Sequence, residues 1–111
     1  MIVATKPVFA TRVGSGESVA GVRQVSTKQC IVASLRVFNS GTAAYLHVFD
    51  SVSTPVNGAV PTYLIGKIPT DTGFESSTPI SCANGCFIGL SSTAFTYTAQ
   101  ASSAAITAEC V

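Results

Sequence analysis

Apolar and polar positions alternate with a period of two along much of this chain. The clearest stretch is residues 34–50, SLRVFNSGTAAYLHVFD, where two alternating runs flank a turn signal at Asn39-Ser40-Gly41. The pattern predicts two strands joined as a hairpin. With Ser40 and Gly41 as a two-residue loop, Leu35 faces Leu46, Val37 faces Ala44 and Ala33 faces Val48, all toward a core. Arg36, Tyr45, His47 and Phe49 then share the opposite face. With Asn39, Ser40 and Gly41 as a three-residue loop, Tyr45, His47 and Phe49 turn toward Leu35 instead, so the alternation leaves two registers open. In the first register the outer face is too apolar for plain solvent and too polar for a dry interior, which is the character of a surface covered by another subunit.

The same reading extends along the chain. Strands are expected at 7–13, 17–25, 29–38, 43–49, 60–68, 86–91, 94–98 and 104–111, with a turn at Gly14-Ser15-Gly16. Residues 80–82 and 86–91, separated by Asn84-Gly85, read as a tight hairpin or a bulged strand. Within 94–98, Phe95 and Tyr97 fall on one face. Thr54-Pro55 and Asn57-Gly58 break regular structure and predict an exposed loop over 51–59. Residues 69–78 read as a loop with a short strand around Phe74, and 99–105 is the one weak helix candidate. Punctuation at this spacing describes an all-β chain, an antiparallel β-sandwich or jelly-roll-like barrel of about eight strands. A length of 111 residues suits one domain over 1–111 with one core.

Charge sharpens this picture. Asp, Glu, Lys and Arg make up 10% of the chain, against about 25% in a typical soluble domain, and the net charge is only +1. The three Lys and three Arg do not cluster, so no nucleic-acid partner is expected. No apolar run reaches the roughly 20 residues of a membrane-spanning helix, and the amino terminus lacks the pattern of a signal peptide. No membrane association is expected. A neutral, Ser/Thr-rich surface favours association, so the chain is expected to live in an assembly and to form a homo-oligomer.

Candidate chemistry is sparse. His47 is the single imidazole, and a Ser-His-Asp arrangement would need Asp50 or Asp71 to orient it. His47 and Asp50 are three apart on a strand and so on opposite faces. An interface role for His47 is the better reading, and no enzyme activity is expected. Cys82 and Cys86 flank a short turn and could form a disulfide, supply two zinc ligands, or pack as buried thiols. Cys30 and Cys110 read as buried thiols, neighbours if the last strand pairs with the third. No phosphate-binding glycine loop is present, and no metal or other cofactor is expected. Tyr63, Asp71 and Phe74 are the loose candidates for a carbohydrate-binding platform.

Five stretches carry a resemblance: Asn39-Ser40-Gly41, then Ala44-Tyr45-Leu46-His47-Val48-Phe49-Asp50, then PVNGAVP at 55–61, GCFIGL at 85–90 and Ser91-Ser92-Thr93-Ala94. In this order they resemble a group of small tailed-phage virion proteins, over about residues 30 to 100. That group shows an asparagine turn, a Tyr-Leu-x-Leu-Tyr/Phe strand, a Gly-x-x-x-Pro loop and a Gly-x-x-Phe-x-x-Gly-Leu segment. Here the third element runs from Gly58 to Pro61 with two residues between, and Cys86-Phe87 sits in a shortened fourth. These are fold motifs, not active-site motifs. The resemblance implies a β-sandwich component of a virion assembled in the host cytoplasm. It looks most like a capsid decoration (cement) protein, which is expected to form a trimer and to bind the major capsid protein or another virion protein. A tail or neck accessory protein, or a surface carbohydrate-binding module, is the alternative.

Overall fold

The alternating runs become strands in the computed structural model, which describes residues 8–13, 22–100 and 104–110. The described residues form β1 (Val8–Val13), β2 (Val22–Ser26), β3 (Cys30–Asn39), β4 (Ala44–Phe49) and β5 (Tyr63–Ile68). They continue with β6 (Thr72–Ser76), β7 (Ile80–Cys82), β8 (Cys86–Ser91) and β9 (Ala104–Cys110), and no helix occurs among them. One sheet has the order β1-β9-β3-β6, with the short β7 also paired to β3, and the other has the order β2-β8-β4-β5. Every registered pair is antiparallel.

Four of those pairs nest inside one another: β1 with β9, β2 with β8, β3 with β6 and β4 with β5. A ribbon of nested pairs rolled so that successive pairs fall in opposite sheets is the jelly roll, here with β7 added beside β3. The core lies between the sheets. Val32, Leu35, Val37 and Ile106 of the first sheet belong to one buried cluster with Leu46, Val48, Ile88 and Leu90 of the second. Burying each such side chain contributes about 1.5–3 kcal/mol, so this layer is what holds the two sheets together.

The expected hairpin over 34–50 does not form, because β3 and β4 lie in different sheets. Leu35 and Val37 do meet a core shared with Leu46 and Val48, but from opposite walls of the sandwich. Asn39 makes the crossing. It is fully buried, its Nδ2 donates to the carbonyls of Thr42 (2.9 Å) and Ile68 (3.1 Å), and its Oδ1 accepts from Gly41 N (2.9 Å). This Asx turn satisfies the backbone as the chain leaves one sheet for the other. Alternation in β3 is also interrupted. A register shift between Val32 and Ser34 exchanges the inward and outward sets, leaving Ala33 partly exposed rather than facing Val48.

The tight hairpin at 80–91 is likewise a crossing. β7 pairs with β3, and β8 pairs with β2 and β4. The Asp50 carboxylate gathers the intervening turn, accepting from the backbone N–H groups of Ala83 (2.9 Å), Asn84 (2.8 Å) and Gly85 (3.4 Å). Gly85 must be glycine, since a Cβ there would lie 2.6 Å from the Ser51 carbonyl oxygen. Residues 94–98 form bends and irregular backbone rather than a strand, closed by an isolated bridge between Ser91 and Ala99. The turn at 14–16 and most of the 17–25 strand lie outside the described residues. So does the middle of the 99–105 helix candidate, whose ends are the Ala99 bridge and the start of β9.

Candidate functional site

Tyr45, His47 and Phe49 alternate along β4 away from the core, beside Phe87, Gly89 and Ser91 of β8 and Val22 of β2. This outer face is not open. Residues 92–99 return across it as a strap organised by the buried Ser91, whose Oγ accepts from Thr98 N (2.9 Å) and Thr93 N (3.2 Å) and donates to Thr93 O (2.8 Å). Tyr97 of the strap enters a second small core with Val22, Phe49 and Phe87. Gly89 leaves room for it, because a Cβ there would lie 3.0 Å from Val22 Cγ2 and 3.4 Å from Tyr97 Cε1.

His47 is pinned within this layer. Its Nε2 lies 2.8 Å from the Ala94 carbonyl oxygen, so Nε2 carries the proton, and Nδ1 has no hydrogen-bond partner among the described residues. The ring is fully buried and lies 5.8 Å from Phe49 and 6.2 Å from Tyr97, centroid to centroid. Burial holds its pKa below 6.5, against the raising effect of the Ala94 and Thr93 carbonyls, so the neutral ring is favoured. The Tyr97 hydroxyl also has no hydrogen-bond partner among the described residues, and burial pushes its pKa up to about 12. Asp50 does not orient the imidazole. Its carboxylate is engaged with the 83–85 turn, and those N–H donors hold its pKa below 3.8. Asp71 sits in the exposed turn between β5 and β6 with a φ of 55°. The arrangement anchors the strap to the sheet.

The four residues expected to share an outer face are therefore divided. Arg36 belongs to β3 in the other sheet, exposed and paired with Glu75 at 2.8 Å. Tyr45 is half-buried, with the Lys67 ammonium 5.9 Å from its ring centroid. His47 and Phe49 are buried by the chain's own strap. The cover that their character asked for is supplied intramolecularly, a solution that periodicity within 34–50 cannot reveal.

The candidate carbohydrate residues are also dispersed. Tyr63 donates its hydroxyl to Ser81 O at 2.7 Å, Phe74 packs against the main core, and Asp71 stays in its turn. Cys30, Cys82 and Cys86 are buried thiols, not joined in disulfides. The last strand does pair with the third, but the register sets Cys110 opposite Val32 and Cys30 opposite Cys82. Among the described residues, no group of three or more His, Cys, Asp or Glu is placed to hold a metal ion.

The structure exposes a different surface. The loop between β4 and β5 is joined to the strap by Gly58 N to Tyr97 O (2.7 Å), Tyr97 N to Ala59 O (2.7 Å) and Ala99 N to Asn57 Oδ1 (2.8 Å). Val56, Val60 and Phe95 stand out from these two interlocked segments at 70%, 74% and 78% exposure. Phe95 and Tyr97 thus have opposite environments rather than sharing a face. Val56 and Val60 also line an open groove of about 310 Å³ with Pro55 and Phe49. The available sequence signal was Val56, inside the expected 51–59 loop rich in Pro, Gly and Asn; Val60 was expected to open a strand over 60–68, but that strand begins at Tyr63 and leaves Val60 in the loop. No protein-family model, curated protein or solved structure matches the chain.

Proposed function

We propose that this chain is a structural virion protein, a capsid decoration protein that binds the outside of a tailed-phage head as a homo-oligomer and reinforces it. The observation that carries this reading is the exposure of Val56, Val60 and Phe95 on two loops fastened together by backbone hydrogen bonds. Such a surface can bind a neighbour without first ordering itself, which removes much of the entropic cost of association. The low charge of the chain and the resemblance of its 39–50, 55–61 and 85–94 stretches to small phage virion proteins point the same way. Jelly rolls occur in capsid proteins and in lectins alike, so the fold supports the reading without deciding it.

A protein that binds assembled shell in preference to free subunits stabilises the shell by mass action. With few charges available, the contacts are apolar burial at about 25 cal/mol per Å² together with neutral hydrogen bonds, and they depend little on salt. The test compares the temperature of genome release from particles with and without the protein, and rebinding of the Val56→Ser/Phe95→Ser double variant. Lower release temperature without the protein, and failed rebinding by a folded double variant, are the expected results. Equal release temperatures, or a monodisperse monomer of 11.3 kDa that ignores particles, would sink the proposal.

A further inference from the structure

We propose that Cys30 and Cys82 form a cross-strand disulfide that ties β7 to β3 when the chain folds in the presence of a low-molecular-weight disulfide. The two are direct partners in an antiparallel ladder, the first of the registered pairs Cys30–Cys82, Ile31–Ser81 and Val32–Ile80. Directly opposed residues in such a ladder have Cα atoms about 4.5 or 5.5 Å apart, and both spacings lie within the window that a disulfide spans. Both side chains belong to the same buried cluster, at 5% and 0% exposure, so they point to the same side of the sheet. Cys86 is also buried in this cluster.

Geometry selects among the pairings. A Cys82–Cys86 bond would close a ring over Ala83-Asn84-Gly85, whose three amides are already committed to the Asp50 carboxylate in a fixed turn. It would also bridge two strands that share no ladder. Cys110 is registered with Val32, two positions further along β3 and on its other side. The Cys30–Cys82 bond joins strands already in register and secures β7, a three-residue strand whose registered partners are all in β3.

The reaction is a two-step exchange. One cysteine thiolate attacks oxidised glutathione, forming a mixed disulfide and releasing one glutathione thiolate. The second cysteine thiolate then attacks the protein sulfur of that mixed disulfide and expels the second glutathione. Two protons leave the protein thiols, and two electrons pass to the oxidant, which is reduced to two glutathiones. In the folded protein, burial pushes the Cys82 thiol up to about 11, which suppresses the reactive thiolate. The bond therefore forms as β7 docks during folding and is sealed afterwards.

The test is to refold reduced, denatured chain in a mixture of oxidised and reduced glutathione, quench with acid, alkylate and map the linked peptides by mass spectrometry. The expected result is a chain lighter by two hydrogens, with Cys30 linked to Cys82 as the dominant product and a Tm several degrees above that of the reduced chain. Cys86→Ala should keep the link, and the wild-type map decides if that variant fails to fold. Dominance of any other pairing, four free thiols in a buffer that oxidises a reference dithiol, or a linked chain with lowered Tm would overturn the proposal.

Discussion

Tyr97 stands edge-on to Phe49, with ring centroids 5.5 Å apart and planes at 86°, and this pair joins the strap to the outer face of the second sheet. The contact depends on a residue that belongs to neither ring. Gly89 lies beneath them, where a methyl group would crowd Val22, 3.0 Å from its Cγ2 and 3.1 Å from its Cβ. Gly89→Ala is expected to destabilise the protein by about 1–3 kcal/mol through overpacking, read as a lowered urea midpoint. Tyr97→Phe should be neutral or slightly stabilising, because it removes a buried hydroxyl with no partner among the described residues. A large loss from Tyr97→Phe would show that the hydroxyl is satisfied after all.

His47 makes stability depend on pH. The folded protein binds its proton less tightly than the unfolded chain, whose imidazole titrates near the ordinary 6.5. Stability is therefore full above 6.5, falls as pH drops below that value, and levels off once the depressed folded-state pKa is passed. Urea midpoints measured across this interval should fall for the natural chain and stay flat for His47→Gln. An equal slope in both would remove His47 as the cause.

Asp50 acts in a separate, more acidic interval. Its carboxyl is held below 3.8 by the amides of Asn84 and Ala83, so its contribution is present above that value and is lost as pH falls through the lowered pKa. Asp50→Ala should speed hydrogen exchange at Ala83, Asn84 and Gly85 at neutral pH, where the intact carboxylate protects them. Unaltered exchange at those three amides would show that the turn holds itself.

Asn39 is expected to be the least replaceable polar residue among those described. Removing the amide in Asn39→Ala takes this donor from the buried Ile68 carbonyl, at a cost of about 1–3 kcal/mol, while the Thr42 carbonyl still accepts from Gln100 Nε2 at 3.2 Å. Asn39→Asp should cost more, since it turns an acceptor toward the carbonyls of Thr42 and Ile68. Equal urea midpoints for these two variants would contradict the assigned orientation of the amide.

The Arg36–Glu75 pair provides the contrast. Its side chains are 73% and 70% exposed, so the ion pair is well solvated. Arg36→Ala is expected to change stability by less than about 1 kcal/mol, with the small effect fading as salt is added. A loss above that range would assign Arg36 a packing role along β3.

Most strands could be read from local pattern because alternation is a property of each strand by itself. The runs around Leu35, Leu46, Ile88 and Ile106 must each bury one face, whatever the fold, and each became a strand. Their partners could not be read in the same way. Leu35 and Leu46 satisfy the same alternation whether their strands lie side by side or face each other across a sandwich, so the apparent hairpins at 39–44 and 82–86 were crossings between sheets. The bulge at Val32–Ser34 escaped notice because one extra residue exchanges faces without changing composition. The candidate face failed for a related reason. The amphipathic character of Tyr45, His47 and Phe49 reads as a surface covered by another subunit, whereas the segment that covers His47 and Phe49 lies some fifty residues further along the same chain, at 92–99. A pattern of period two records which side chains need burial. Only the rolled-up topology, which brings distant segments together, decides what buries them.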